Sequence, residues 1–178
     1  LKEVPLKFEF SNVPAGYDPA ELNASISPAT IRIAGAADTV DGIESVNVGF
    51  INLARVQLGK AETLKIQLSE GLVNVDDVQE ATVTFDTSGY GEPRAITVSD
   101  IRVVNAPSGV DVKVITESIN NVTLVGEAEE LAAISPSDVI AQVDASAQNI
   151  TVKGSGQQQF SAQIIVTGTK TVFATGAY

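Results

Sequence analysis

The chain has no cysteine, no histidine, no methionine and no tryptophan. Without cysteine there is no disulfide, no thiolate metal site and no thiol nucleophile. Without histidine the Ser-His-Asp and Cys-His systems are excluded, together with the usual base near neutral pH and the commonest zinc ligand. A hydrolase would need a Ser-Lys pair or two carboxylates instead, and neither Ser-x-x-Lys nor Gly-x-Ser-x-Gly occurs. No apolar run approaches the roughly 20 residues of a membrane span, and no signal peptide is visible. The missing methionine, at position 1 as well, leads us to expect a processed or excised fragment.

Basic charge is also scarce: 22 acidic against 11 basic side chains, a net charge of −11. Residues 1–87 hold 13 acidic and 6 basic groups (6 − 13 = −7), and residues 88–178 hold 9 and 5 (5 − 9 = −4). Neither half offers the basic footprint that a phosphate backbone or an anionic membrane requires. The acidity reads as a solubilising surface.

What is present is one pattern written twice. Residues 4–86 open with Val4, Leu6, Phe8 and Phe10 on one face of a strand; residues 96–178 open with Ile96 and Val98, then Ile101 and Val103. Each opening leads to a matching turn, Asn12-Val-Pro-Ala-Gly16 and Asn105-Ala-Pro-Ser-Gly109, in which proline presets one corner and glycine accepts positive φ. Next come Thr30-Ile-Arg-Ile-Ala-Gly35 and Val122-Thr-Leu-Val-Gly126, each followed by a short acidic, Ala-rich stretch. A further strand closes each series, at Val46–Leu53 and Val139–Asp144. Two domains of roughly 85 residues each follow from this, large enough for one core apiece without staples.

Period-two alternation recurs at Ala29/Ile31/Ile33, Leu64/Ile66/Leu68, Val83/Phe85 and Phe160/Ala162/Ile164/Val166, which predicts half-buried strands. Helical periodicity is confined to Ala36–Ile43 and Glu127–Ile134, with acids early in each segment, and Pro136 is expected to end the second. Residues 88–94 read as the linker between a first repeat at 1–87 and a second at 95–178. Lys153-Gly-Ser-Gly156 reads as a hairpin tip and not a phosphate loop.

Carboxylates are plentiful but lie in polar stretches: Asp38/Asp41, Asp76-Asp77 and Glu127/Glu129/Glu130. Calcium is the metal that such oxygen clusters fit best, yet no Asp-x-Asp-x-Asp-Gly loop appears. Asp144 and the Asn52 that aligns near it are expected to hydrogen-bond a turn. A glycosidase or sugar-binding module would need aromatic platforms, for which only Tyr17 and Tyr90 are candidates. The sequon matches at Asn23, Asn121 and Asn149 are close to chance in a Ser/Thr-rich chain and carry nothing. No catalytic, cofactor or metal residue is therefore assigned.

The run from Ile96 through Asn105-Ala-Pro-Ser-Gly-Val110, then Val122–Gly126 and Ile134-Ser-Pro-Ser-Asp-Val-Ile-Ala-Gln-Val-Asp144, resembles the YbbR-like domain, a repeat module of Gram-positive cell-surface proteins. The first half resembles it more loosely, through Val4–Tyr17, Ile31–Gly35 and Ile43–Leu53, and lacks the aspartate after its middle strand. The resemblance implies tandem modules outside the membrane behind an N-terminal anchor, in a family whose best-known members partner and regulate a membrane diadenylate cyclase, the source of cyclic di-AMP. It implies an interaction module and not an enzyme, with no cofactor and no nucleic-acid partner. The end at Phe173–Tyr178, where a family domain would continue into a last strand, adds the expectation of truncation. The expected fold is mainly β: two twisted, partly closed sheets in tandem, each with one short helix. The expected partner is that cyclase, by the resemblance, or another envelope protein, and the alternative function is a generic adhesion or carbohydrate-binding β module.

Overall fold

A computed structural model describes residues 1–146 and 156–178, so the sequon at 149–151 and nearly all of the hairpin tip at 153–156 lie outside the described residues. The fold is mainly β with two short α-helices. Two units result: Leu1–Asn12 with Leu22–Ser88, and Val13–Glu21 with Gly89–Tyr178.

Unit 1 contains β1 (Lys2–Ser11), β2 (Ala24–Ser27), β3 (Thr30–Ala34), α1 (Ala37–Asp41), β4 (Val46–Asn52), β5 (Glu62–Lys65), β6 (Val73–Asn74) and β7 (Glu80–Phe85). β1 works in two halves. Its start pairs antiparallel with β3, Val4 opposite Ile31, and its end pairs parallel with β4, Phe10 opposite Ile51. A parallel pair needs a crossover, and α1 lies within it. The sheet order is β4-β1-β3-β6, with a second sheet β2-β7-β5. The alternation predicted for these strands is realised: Val4, Leu6, Ile31, Ile33, Val46 and Val48 form the core with Val40 of α1 and Ala81 of β7. Each large aliphatic group so buried stabilises by about 1.5–3 kcal/mol.

Unit 2 repeats this frame with β8 (Arg94–Val98), β9 (Asp100–Val104), β10 (Ile119–Val125), α2 (Ala128–Ala133), β11 (Val139–Asp144), β12 (Gln163–Val166) and β13 (Phe173–Thr175). β8 pairs antiparallel with β10, and β9 pairs parallel with β11. Together β8 and β9 correspond to β1, split by Ser99. That extra residue moves the apolar set from Ile96/Val98 to Ile101/Val103, as one inserted residue must in a period-two strand. The core is Ile96, Val98, Val122, Leu124, Leu131, Ile134, Val139, Ala141, Ile164 and Val166, closed by Val172 and Ala174.

The duplicated turns are duplicated in conformation. Asn12 and Asn105 take φ of 51° and 54°, and Gly16 and Gly109 take 87° and 80°. Tyr17 N–H donates to the Pro14 carbonyl at 3.1 Å, and Val110 N–H to that of Pro107 at 3.2 Å. Proline therefore opens each turn, and glycine takes the third position, where positive φ is required. The ends of the middle strands also match. Asn52 Oδ1 accepts Ala54 N–H at 2.9 Å, and Asp144 Oδ1 accepts Ser146 N–H at 2.9 Å.

Both helices form where periodicity placed them, but shorter. Pro136 does not terminate α2, contrary to expectation: the helix stops at Ala133, and Ile134 is already extended at φ −63°, ψ 127°. Pro136 instead opens a 3₁₀ turn, Pro136–Asp138, behind an extended Ser135. The backbone restriction on the residue before proline acts on Ser135, beyond the helix. The carbonyls left by each helix are met from the first strand of the same unit. Arg94 Nη1 donates to Leu131 O (3.2 Å) and Ile134 O (2.8 Å), and Lys2 Nζ donates to Asp41 O (3.0 Å).

Candidate functional site

The aromatic pair proposed from sequence lies in unit 2. Tyr17 follows the Pro14–Gly16 turn, and its ring packs against Phe173 with centroids 4.4 Å apart. Tyr90 is held in a one-residue bridge to Glu127, flanked by Ala128 N–H to Gly89 O and Gly91 N–H to Gly126 O, both 3.0 Å. The two phenols act on each other's ionisation, so the fold brings them together. Burial, followed by the Tyr90 hydroxyl, holds the Tyr17 phenol far above its ordinary range. Burial also raises Tyr90, while the Tyr17 hydroxyl pulls the other way. The contact between the two hydroxyls falls outside hydrogen-bond geometry, so both are buried without a hydrogen-bond partner among the described residues. Tyr17 is only 8% exposed, which removes it as half of an open sugar platform. A sugar stacks on an accessible ring face, and this one is spent on Phe173.

The carboxylate clusters do not become acid/base pairs. Asp76 accepts Arg32 N–H at 2.6 Å and Arg32 Nε–H at 2.7 Å, and the arginine's hydrogen bond holds its pKa below the ordinary carboxylate value. Asp77 sits at φ 55° and accepts from Gln79 Nε2. Glu130 accepts the hydroxyls of Thr169 and Thr171, and these bonds lower its pKa in that order. Asp138 is lowered by Ser135, whose Oγ donates at 2.6 Å and N–H at 2.8 Å. Asp38 and Asp41 lie on α1.

Asp76, Asp86, Asp100, Glu130 and Asp138 are all displaced downward by hydrogen-bond donors. A general acid needs the opposite shift. Among the described residues no three Asp or Glu side chains group to hold a metal. No helix among them is long and apolar enough to cross a membrane.

A family model described as YbbR-like protein matches residues 4–87. Over these residues the chain is similar to the YbbR-like family. Two solved structures are similar. One is the solution structure of SuR18C from Streptococcus thermophilus, at 21% identity over 47% of this chain and 81% of that one, with a TM-score of 0.37. The other is a crystal structure of a YbbR-like protein from Streptococcus pneumoniae TIGR4, at 17% identity over 99% of this chain and 92% of that one, with a TM-score of 0.27. No curated protein matches the chain. The YbbR-like match falls on the half whose resemblance rested on fewer residues, and that similarity is consistent with a non-catalytic domain.

Proposed function

We propose that this chain is a non-catalytic, extracytoplasmic protein-interaction module, part of a membrane-anchored regulator of a diadenylate cyclase. The observation that carries the reading is the YbbR-like match over residues 4–87, joined to a second unit built on the same strand frame. The electrostatics support it, because the displaced carboxylates are engaged in holding turns. In this reading the sheets are rigid scaffolds, the anchor lies N-terminal to residue 1, and the exposed surface relays an envelope state to the cyclase.

The test is cyclic di-AMP output from the host's membrane diadenylate cyclase, co-expressed with and without the full-length protein containing this chain. A change in output that disappears when residues 1–178 are deleted is the expected result. Unchanged output, with the cyclase active and the protein exported, overturns cyclase regulation and shifts the reading to adhesion.

A further inference from the structure

The connection after the first long strand is used differently in the two repeats. In the first repeat, Val13–Glu21 joins β1 to β2 yet belongs to unit 2. There the Tyr17 ring lies on Phe173. Phe173 and its cross-strand neighbour Val125 stand on the face of the β13-β10-β8 sheet turned away from the core, because the core takes the alternate residues Val172, Ala174, Val122 and Leu124. Left bare, Phe173 and Val125 would form an apolar patch on the outside of the sheet; both are buried. A connection from the first repeat thus finishes the outer face of the second.

Each half of this arrangement occurs a second time, exposed. The matching outer face in unit 1 carries Ala34 and, opposite it, Val73. Val75 lies two residues further along the same face, its N–H donating to Arg32 O. Ile33 and Leu72 take the core side. Val73 and Val75 are 62% and 42% exposed. The matching connection is 105–118, between β9 and β10. It starts from the same turn, and Val110 takes the place of Tyr17, since the N–H of each donates back to the proline carbonyl. An aspartate follows in both, Asp18 and Asp111. Beyond it, the second connection exposes Val112, Val114 and Ile115 by 36%, 39% and 62%.

We propose that the 105–118 connection of one copy of this chain docks on the Val73 face of unit 1 of a second copy, repeating between chains the covering that Tyr17 gives Phe173. The occupant is a second copy because the two exposed surfaces are the repeat equivalents of two surfaces that already fit each other. Donor and acceptor are different surfaces, so the contact is heterologous and leaves one donor and one acceptor free at the ends of a dimer. Dimers therefore extend into head-to-tail rows. The net charge of −11 on each chain opposes association. Salt screens that repulsion and leaves the apolar contact intact, so association rises with ionic strength instead of falling. The inference goes beyond the cyclase reading and does not depend on it.

The test is sedimentation velocity of the whole chain over a concentration series, in about 0.1 M and about 1 M salt, between which the Debye length falls from roughly 10 Å to 3 Å. The sedimentation coefficient should rise with concentration past that of a dimer, and more steeply in high salt. Val73→Asp disables the acceptor and Ile115→Asp the donor, and each alone should weaken association at least about tenfold. Mixed in equal amounts, the two variants should form a dimer and nothing larger, because each supplies the surface the other lacks. In the labelled parent chain, amide shifts that grow with concentration should fall at both 73–75 and 110–117, a readout that needs no variant to fold. A chain that stays monomeric at every concentration and salt overturns the proposal. So does a dimer that the mixture fails to restore, since that contact would be two-fold, and so do shifts that miss either surface. None of these outcomes bears on cyclic di-AMP output, so the cyclase experiment stands apart.

Discussion

Val73 and Phe173 occupy the same place in the two units, each opposite the last residue of the strand that pairs with it, yet Val73 is 62% exposed and Phe173 is fully buried. The backbone frame is shared, so the frame does not decide burial. Tyr17 decides it: the segment Val13–Glu21 belongs to unit 2 and lays an aromatic ring on Phe173. A repeat thus fixes strand pairing, while single segments outside the repeated frame determine which faces are finished.

Truncating this pair breaks the comparison most sharply. Phe173→Ala removes a buried ring and should cost unit 2 about 3–5 kcal/mol. Val73→Ala should change unit 1 by less than about 0.5 kcal/mol, as exposed substitutions do. All three tyrosines, Tyr17, Tyr90 and Tyr178, lie in unit 2, so tyrosine fluorescence during urea unfolding reports that unit alone. Equal costs in the two units would show that Tyr17 does not bury Phe173 in solution.

A second matched pair has the next largest effect. Gly35 and Gly126 each end the strand that pairs with the short β6 or β13, and each abuts the chain entering that strand. A Cβ on Gly126, at φ 158°, would lie 2.5 Å from Thr171 O and 2.7 Å from Val172 Cα, both backbone. On Gly35 the worst meeting is 2.8 Å, with Gly71 O. Gly126→Ala should therefore destabilise by about 2–4 kcal/mol and Gly35→Ala by about 1–2 kcal/mol. Urea midpoints followed by amide resonances in each unit check the order, and a reversed order would mean the segment at 171–172 yields more readily than that at 71–72.

Much of this frame is readable from residue pattern. Alternation at Ile31/Ile33 and Val122/Leu124 finds the central strands because one face of each meets a core. The paired Asn-x-Pro-x-Gly turns are found because only Asn and Gly enter the left-handed region cheaply. What local pattern does not carry is partner choice. The parallel pairing of β1 with β4 and of β9 with β11 is a long-range contact. So is the inclusion of Val13–Glu21 in unit 2, which turns Tyr17 from a surface candidate into a buried one. The one-residue insertion at Ser99 is visible in the change of parity, but its result, two strands in different sheets where unit 1 has one, requires the pairing itself. For the candidate site, the carboxylate clusters were legible as polar stretches, whereas their donors Arg32, Thr169 and Ser135 lie on elements whose neighbours the sequence does not name.

The unpartnered hydroxyl of Tyr17 gives a smaller, pH-dependent effect. A buried hydroxyl without a partner is a cost, so Tyr17→Phe should stabilise unit 2 by about 1 kcal/mol at neutral pH. The pH sign follows from the raised phenol. The folded state holds its proton where the unfolded state has lost it, so stability is full below about pH 10 and falls as pH rises beyond it. The phenylalanine variant should lose less stability above that pH than the parent chain. Identical alkaline profiles would show that the Tyr17 hydroxyl reaches water.

The smallest contrast lies between two exposed ion pairs, one in each unit. Arg32 and Asp76 are far apart in sequence and join β3 to the loop beyond β6, with Asp76 also accepting Arg32 N–H. Arg102 and Asp100 are neighbours on β9, and the pair closes no loop. Side-chain exposures of 55% and 24% for the first pair, and 58% and 38% for the second, leave both open to screening by salt. Both carboxylates have lowered pKa values, so the stability they contribute is present above about pH 4 and is lost as pH falls through the folded-state values. Asp76→Asn should move the acid-unfolding midpoint of unit 1 upward, because it weakens a tie between distant segments. Asp100→Asn should leave that of unit 2 unchanged, because a pair two residues apart on one strand persists in much of the unfolded ensemble. Equal shifts would mean that sequence separation is irrelevant and that the charge on each strand surface, not the loop it closes, sets the acid stability.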